Sequence, residues 1–197
     1  MRIQVSIALT GLLGKRRAAP SFPAPPRGAG RRIAAALGAV ASPLMAAEMD
    51  VSVELPRLSV AEYHRPYVAV WLERKDQSAA GNLAVWYDVN KRDKEGTKWL
   101  KDLRQWWRKS GRELNPPVDG LTSATRPAGK HALHFDTTTQ VLKELPPGEY
   151  RLAVEAAREV GGRELVYVPF EWPPKNPQQL QAQGKDELGA VSLAIKP

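Results

Sequence analysis

Cysteine is absent from the 197 residues, which removes disulfide frameworks, thiolate metal sites and cysteine nucleophiles together. Histidine is scarce: His64, His131 and His134 are all there is. His131 and His134 stand three apart on sequence that reads as a strand, where odd spacing sends them to opposite faces and away from a shared metal. There is no G-x-S-x-G elbow, no H-E-x-x-H pair and no phosphate-cradling glycine loop. Aspartates and glutamates fall at strand ends and turns without forming a pair. An autonomous enzyme is not expected.

Acid is missing from the first 47 residues, which hold seven of the 29 Lys and Arg. From Glu48 onward 22 bases therefore face 21 acids. The formal charge of +8 belongs to the leader, and it makes no case for nucleic-acid binding by the rest.

That leader has the three parts of a secretory signal. Arg31-Arg32 form a basic flank, "IAAALGAVASPLMAA" is an apolar stretch of small residues, and Ala46-Ala47 precede the first acids, Glu48 and Asp50. The apolar core falls short of the ~20 residues that span a bilayer, so cleavage near Ala46 or Ala47 and export to the periplasm are expected, with no membrane span in the mature chain. Residues 1–30, which include the Pro/Gly-rich "SFPAPPRGAG", exceed what a basic n-region needs: either the leader is unusually long or, the preferred reading, these residues lie upstream of the true start. The arginine pair in "RRIAAAL" lacks the rest of a twin-arginine pattern.

From Glu48 the chain reads as short alternating strands. "DVSVELP", "PYVAVWLERK", "NLAVWYDVN", "KHALHFD", "GEYRLAVEAARE", "RELVYVPFEW" and "GAVSLAIK" are the candidates, with turns expected at Gly81-Asn82, Pro146-Pro147-Gly148 and Gly161-Gly162. About seven short strands predict a mainly β chain, an immunoglobulin-like antiparallel β-sandwich with one Trp-rich helical insertion. The expected organisation is a leader over 1–47, a sandwich domain over 48–173 with a helix at 97–110, and a Pro/Gln-rich linker over 174–197 that ends in a last edge strand.

In the insertion, Trp99, Leu103, Trp106 and Trp107 stand at i, i+4, i+7 and i+8, with Thr97 near the start and Gly111 as a stop. These tryptophans either plug the open end of the sandwich or stack on a ligand. The loop that follows, "RELNPPVDGLTSATRPAGK", shows no element of its own, and connections of that length in compact domains are usually functional or disordered.

The stretches "YHRPYVAVWLE", "WLKDLRQWWR", "TSATRPAGKHALHFD" and "LPPGEYRLAVEAARE" together resemble the predicted periplasmic proteins of domain-of-unknown-function family 2271 (DUF2271), over roughly residues 50–172. Within it, "RPAGKHALHFD" to "PPGEYRLAVEA" is similar to part of the immunoglobulin-like domains of flagellar hook-cap proteins. An intact core pattern with no catalytic set makes an exported binding or assembly module the expectation. The DUF2271 resemblance implies, as partners, PepSY-type membrane proteins and flavin transferases in extracytoplasmic redox or iron-related systems. It supplies no established activity.

It also bears on "DGLTSATRP". Flavin transferases attach FMN through its phosphate to the threonine of a motif Asp-x-(Leu/Val)-(Ser/Thr)-Gly-Ala-(Ser/Thr). Asp119, Leu121, Thr122, Ala124 and Thr125 keep that order, and Ser123 stands at the glycine. On this reading Thr125 carries covalent FMN, Arg126 pairs with its phosphate and Trp106 or Trp107 stacks on its ring. The other reading is structural: Asp119 and Thr122 satisfy turn amides, and Thr125-Arg126-Pro127 leads into the next strand.

Overall fold

The structure is a computed structural model that describes residues 47–197. The signal sequence and the reading of residues 1–30 lie outside the described residues. Alternation of apolar side chains decides the architecture. In β1 (Glu48–Leu55) Met49, Val51, Val53 and Leu55 all point inward and are buried. Eight further strands follow: β2 (Tyr67–Arg74), β3 (Ala79–Tyr87), β4 (Thr122–Ala124), β5 (Gly129–Phe135), β6 (Gly148–Ala157), β7 (Arg163–Trp172), β8 (Gln178–Gln183) and β9 (Ala190–Lys196). One sheet has the order β5-β1-β9-β8 and the other β4-β3-β2-β6-β7. All pairs are antiparallel except β3 with β4. Between the sheets Val51, Val53, Leu193 and Ile195 share one core with Val68, Val70, Leu72, Leu152, Val154 and Val168. Each such side chain contributes roughly 1.5–3 kcal/mol on full burial.

The chain is therefore mainly β, two sheets face each other, and all seven expected strands are present. The strand order lends no support to the immunoglobulin-like part of the expectation. An immunoglobulin domain sets ABED against CFG, whereas here the hairpins β2–β3 and β6–β7 lie side by side in one sheet.

Three local expectations need correction. Gly81-Asn82 is not a turn but the irregular middle of β3, where register shifts put Asn82 opposite Trp71 and Gly81 opposite Leu72. A Cβ on Gly81 would sit 2.5 Å from Val141 Cγ1, so glycine is there for the approach of α3 (Gln140–Lys143). The β2–β3 turn is made by Asp76, whose Oδ1 accepts from the Ser78 N–H (2.9 Å) and hydroxyl (2.6 Å). Residues 178–183 are strand rather than linker, and β9 lies between β1 and β8 rather than at an edge. The Glu164 carboxylate holds the β8–β9 connection by accepting from Lys185, Asp186 and Leu188 N–H at 2.6–3.0 Å. Glu187 pairs with both Arg158 Nε and Nη2 at 3.0 Å.

The insertion is broken where a single helix was expected. α1 (Glu95–Lys98), a 3-10 turn at Leu100–Asp102 and α2 (Arg104–Lys109) are separated at Leu103, whose φ/ψ of −74°/70° is not helical. The break rotates the apolar stripe, so Leu100, Leu103 and Trp106 are fully buried while Trp99 is 43% exposed. Nor do these residues plug an open end of the sandwich. They cover the outer face of the second sheet, against Ala69, Trp71, Val85, Tyr87 and Ala153. β2 and β6 are thus buried on both faces.

Polar groups fix the insertion in place. The fully buried Glu155 carboxylate of β6 accepts from the Gln105 N–H (3.0 Å) and Trp106 N–H (2.9 Å). Two orphan donors at the start of α2 are satisfied this way, since no side chain of the helix itself caps it. Arg163 Nη1 balances the charge at 2.9 Å. Glu73, also fully buried, accepts from Trp71 Nε1 (2.8 Å) and pairs with Arg151 (2.6 Å) and Lys109 (3.0 Å). Asn82 Oδ1 accepts from Trp106 Nε1 (2.8 Å). Gly111 is required beneath the Trp106 ring, because a Cβ there would meet it at 2.6 Å.

Two substitutions test this arrangement by urea unfolding. Trp106→Ala is expected to lose ~3–5 kcal/mol through transfer and cavity terms. Glu155→Gln keeps the volume but removes the anion from under two N–H groups and Arg163, with an expected loss of ~2–4 kcal/mol. Loss of less than about 1 kcal/mol in both would contradict the insertion's packing as described.

Candidate functional site

β4 (Thr122–Ala124) lies within the long loop, where the residue pattern predicts no element. Its three residues lie parallel to β3, with Thr122 opposite Val85, Ser123 opposite Trp86 and Ala124 opposite Tyr87. The pairing is continued by Thr125 N–H donating to the Tyr87 carbonyl (3.2 Å) and by Val85 N–H donating to Leu121 (2.8 Å). Before it, the Thr122 hydroxyl closes a turn, accepting from Val118 N–H (2.9 Å) and donating to the Val118 carbonyl (3.0 Å). Ser123, at the motif's glycine, is in extended strand and is not among the positive-φ residues. A serine costs nothing in backbone strain there.

The four candidate residues do not converge. Asp119 is exposed at the turn and Thr122 is occupied within it. The Arg126 guanidinium lies 4.2 Å from the Trp86 ring centroid, a cation–π contact, and its surroundings lower its basicity by desolvation. His131 packs edge-on against the same ring at 5.6 Å and its Nε2 sits 2.7 Å from the Pro127 carbonyl. Arg126 thus covers the core at the mouth of the sandwich. Trp106, fully buried, cannot stack on any ligand.

Thr125 is the one that opens onto a cleft. A concavity of about 420 Å³ is lined by Tyr63, His64, Arg65, Tyr67, Asp88, Asn90, Lys91, Ala124, Thr125 and Glu159. A second, of about 480 Å³, lies across Tyr63 and Arg65 and reaches Arg57, Pro127 and Ala128. Together they make a groove on both sides of Tyr63-His64-Arg65. The Thr125 side chain enters no hydrogen bond among the described residues, and Arg65 and Lys91 enter no ion pair there. His64 stands 3.0 Å from Glu62 and 3.8 Å from Glu159. These cations were not picked out as site residues from sequence. Only the compact run Tyr63-His64-Arg65-Pro66-Tyr67 before β2 hinted at them.

Burial, partly offset by a hydrogen bond from the Asp88 backbone, raises the Tyr67 phenol to about 12. It stays neutral and can donate or accept at the cleft wall. A different concavity of about 470 Å³, at the seam of β7 and β8, has an apolar floor of Tyr150, Phe170 and Leu180 and no hydroxyl nucleophile except the Tyr150 phenol, already bonded to the Pro146 carbonyl (2.7 Å). His131 and His134 do face opposite ways, His134 Nδ1 pairing with Asp50 Oδ1 at 2.7 Å on the outer face. No group of three metal-ligating side chains occurs among the described residues.

A β-sandwich with a helical cover and a polar groove at the β3–β4 edge describes the class of molecule. The family model described as "Predicted periplasmic protein (DUF2271)" matches residues 48–190, and the chain belongs to this family. It is a periplasmic protein. No curated protein and no solved structure matches it. Among the described residues no helix is long and apolar enough to cross a membrane.

The raised Tyr67 phenol sets an alkaline signature. Its folded value lies above its unfolded one, so its contribution is complete below pH ~10 and is lost as pH rises through the folded value. Burial also raises Tyr87 and Tyr167, so spectrophotometric titration should show a late-ionising group of tyrosines from which Tyr67→Phe removes one. The same variant should flatten the fall in stability above pH ~10. An unchanged fall would show that another group controls it.

Proposed function

We propose that this protein is a periplasmic binding and assembly module whose groove around Tyr63–Tyr67 and Thr125 docks a membrane protein of the PepSY type in an extracytoplasmic redox or iron-related system. One observation carries the reading: segments from before β2, after β3 and after β4 bring the exposed Tyr63 ring, the half-buried Tyr67 and the cations Arg57, Arg65 and Lys91, which enter no ion pair among the described residues, to a single groove. Aromatic and arginine side chains are the usual anchors of protein contacts. The partner class rests on the DUF2271 resemblance. Affinity capture from membrane and periplasmic extracts is expected to recover a specific partner with the wild type and to lose it with Arg65→Glu/Lys91→Glu. Equal recovery by the variant would remove the groove from the interface, and no specific recovery would remove the module reading.

The unbonded Thr125 side chain favours a second reading, a flavin carrier. The donor set fits the group: Thr125 supplies the hydroxyl, while Arg65, Lys91 and His64 would hold a phosphate, the task first assigned to Arg126. Attachment forms a bond from the Thr125 oxygen to the flavin-side phosphorus of flavin adenine dinucleotide, with AMP leaving on the transferase. Bound FMN would supply one- and two-electron redox chemistry. Co-expression with a flavin transferase and in-gel fluorescence is expected to give a fluorescent wild-type band and a dark Thr125→Ala band. A dark wild type sinks this reading and leaves the docking reading standing.

A further inference from the structure

The near-neutral balance from Glu48 onward conceals a segregation of charge. Residues 91–112 contain nine Lys and Arg and three acids, while the remaining residues from Glu48 contain thirteen against eighteen. The insertion is therefore a strongly cationic cap on a net acidic sandwich. A helix face of lysines and arginines is ordinarily just solvated, but three features set this one apart. First, its cations meet a cation from another element: Lys101, Arg104 and Arg108 join Arg163 of β7 around a concavity of about 400 Å³ whose lining includes Gln105 and Trp107 and no acid. Second, those charges are left over. The carboxylates that the sheet offers the insertion are consumed elsewhere, Glu73 by Arg151 and Lys109 and Glu155 by two backbone N–H groups and Arg163. Lys101, Arg104 and Arg108 enter no ion pair among the described residues, and Arg108 is merely steadied by Gln105 Oε1 at 2.7 Å. Third, the patch carries tryptophan. Trp107 lies in the concavity, and Lys101 Nζ stands 6.0 Å from the centroid of Trp99, which is 43% exposed.

We propose that this surface docks the protein on anionic phospholipid headgroups, with a headgroup phosphate seated among Lys101, Arg104 and Arg108. Guanidinium groups match phosphate oxygens in paired hydrogen bonds, and tryptophan beside lysine and arginine is a composition found at membrane–water boundaries, where anionic headgroups supply the phosphate. A periplasmic protein has such a bilayer surface within reach. The helices are short and their apolar stripe is spent on the sheet, so the contact is at headgroup depth and reversible. It does not depend on the groove at Thr125 and involves none of its residues.

The test is co-sedimentation of the chain isolated from the periplasm with phosphatidylcholine vesicles, with and without phosphatidylglycerol. Wild type is expected to sediment with the phosphatidylglycerol vesicles only and to be released by salt. Lys101→Glu/Arg104→Glu/Arg108→Glu should weaken this by roughly a hundredfold or more, and the neutral triple Lys101→Gln/Arg104→Gln/Arg108→Gln should weaken it less. A matched control, Lys130→Glu/Lys143→Glu/Lys175→Glu, changes net charge equally at exposed sites elsewhere and should retain most of the binding. Circular dichroism and a denaturant midpoint confirm that each variant is folded; if the reversed triple is not, the Gln triple decides. The proposal is overturned if wild type binds neither vesicle or both alike, or if insertion and control triples lose equally. It is also overturned if an acidic protein, and no vesicle, binds the patch.

Discussion

Two carboxylates out of water, Glu73 and Glu155, set the terms for everything on the outer side of the second sheet. Each would be costly alone, because a buried charge must be matched by partners of good geometry. Glu155 finds them in the exposed start of α2 and in Arg163; Glu73 finds them in Trp71, Arg151 and Lys109. Only one seating of the insertion satisfies both. The pair specifies position more than it adds stability, since an apolar replacement of similar volume could pack as well. What it fixes is which side of the helical segment meets Trp71 and Tyr87 and which side is left with the surplus lysines and arginines.

With that seating fixed, the middle strands of the second sheet lie under cover on both sides. β2 buries every residue from Val68 to Leu72 along with Glu73, which an antiparallel sheet with one wet face would not do. The molecule is thus three layers where two were expected, and on the side of the second sheet the exposed surface is confined to sheet edges, loops and the outside of the cover, while the first sheet keeps an accessible outer face. The groove at Thr125 lies at one such edge, where the short parallel β4 extends β3 and the loop before β2 folds across it. Its walls include Tyr67 and the turn at Asp88–Lys91, so the start of the insertion also shapes the groove.

Alternation made the main strands legible. Val51, Val53 and Leu55, or Val191, Leu193 and Ile195, admit no other reading once they face a common interior. What stayed hidden was hidden for identifiable reasons. Three residues of β4 are too few to display a period, and β8 is polar on its outer face, Gln179, Gln181 and Gln183 masking the inward Leu180 and Ala182. Gly81-Asn82 has the composition of a turn, and only the closeness of Val141 explains the glycine inside a strand. The tryptophan stripe was correctly read as amphipathic, but a break at Leu103 exchanged Trp99 for Leu100 on the buried side. At the candidate site, Thr125 was the residue that sequence order placed usefully. Arg126 was misassigned because a guanidinium next to a hydroxyl in sequence says nothing of the indole ring it folds over. Arg65 and Lys91 come from distant segments, and no local pattern joins them to the threonine.

The placement of β9 has a bearing on the order in which the fold can be completed. β1 is hydrogen-bonded on one side to β5 and on the other to β9, with Glu48 opposite Lys196. The loop closed by that second pairing is almost the whole domain, so the contact carries a large entropic cost and is slow to form. Until it forms, β8 has no neighbour in its sheet, because β9 is the strand it pairs with. Half of the first sheet is therefore assembled by one late, long-range step, and a change that weakens β9 would leave β1 and β8 as open edges together.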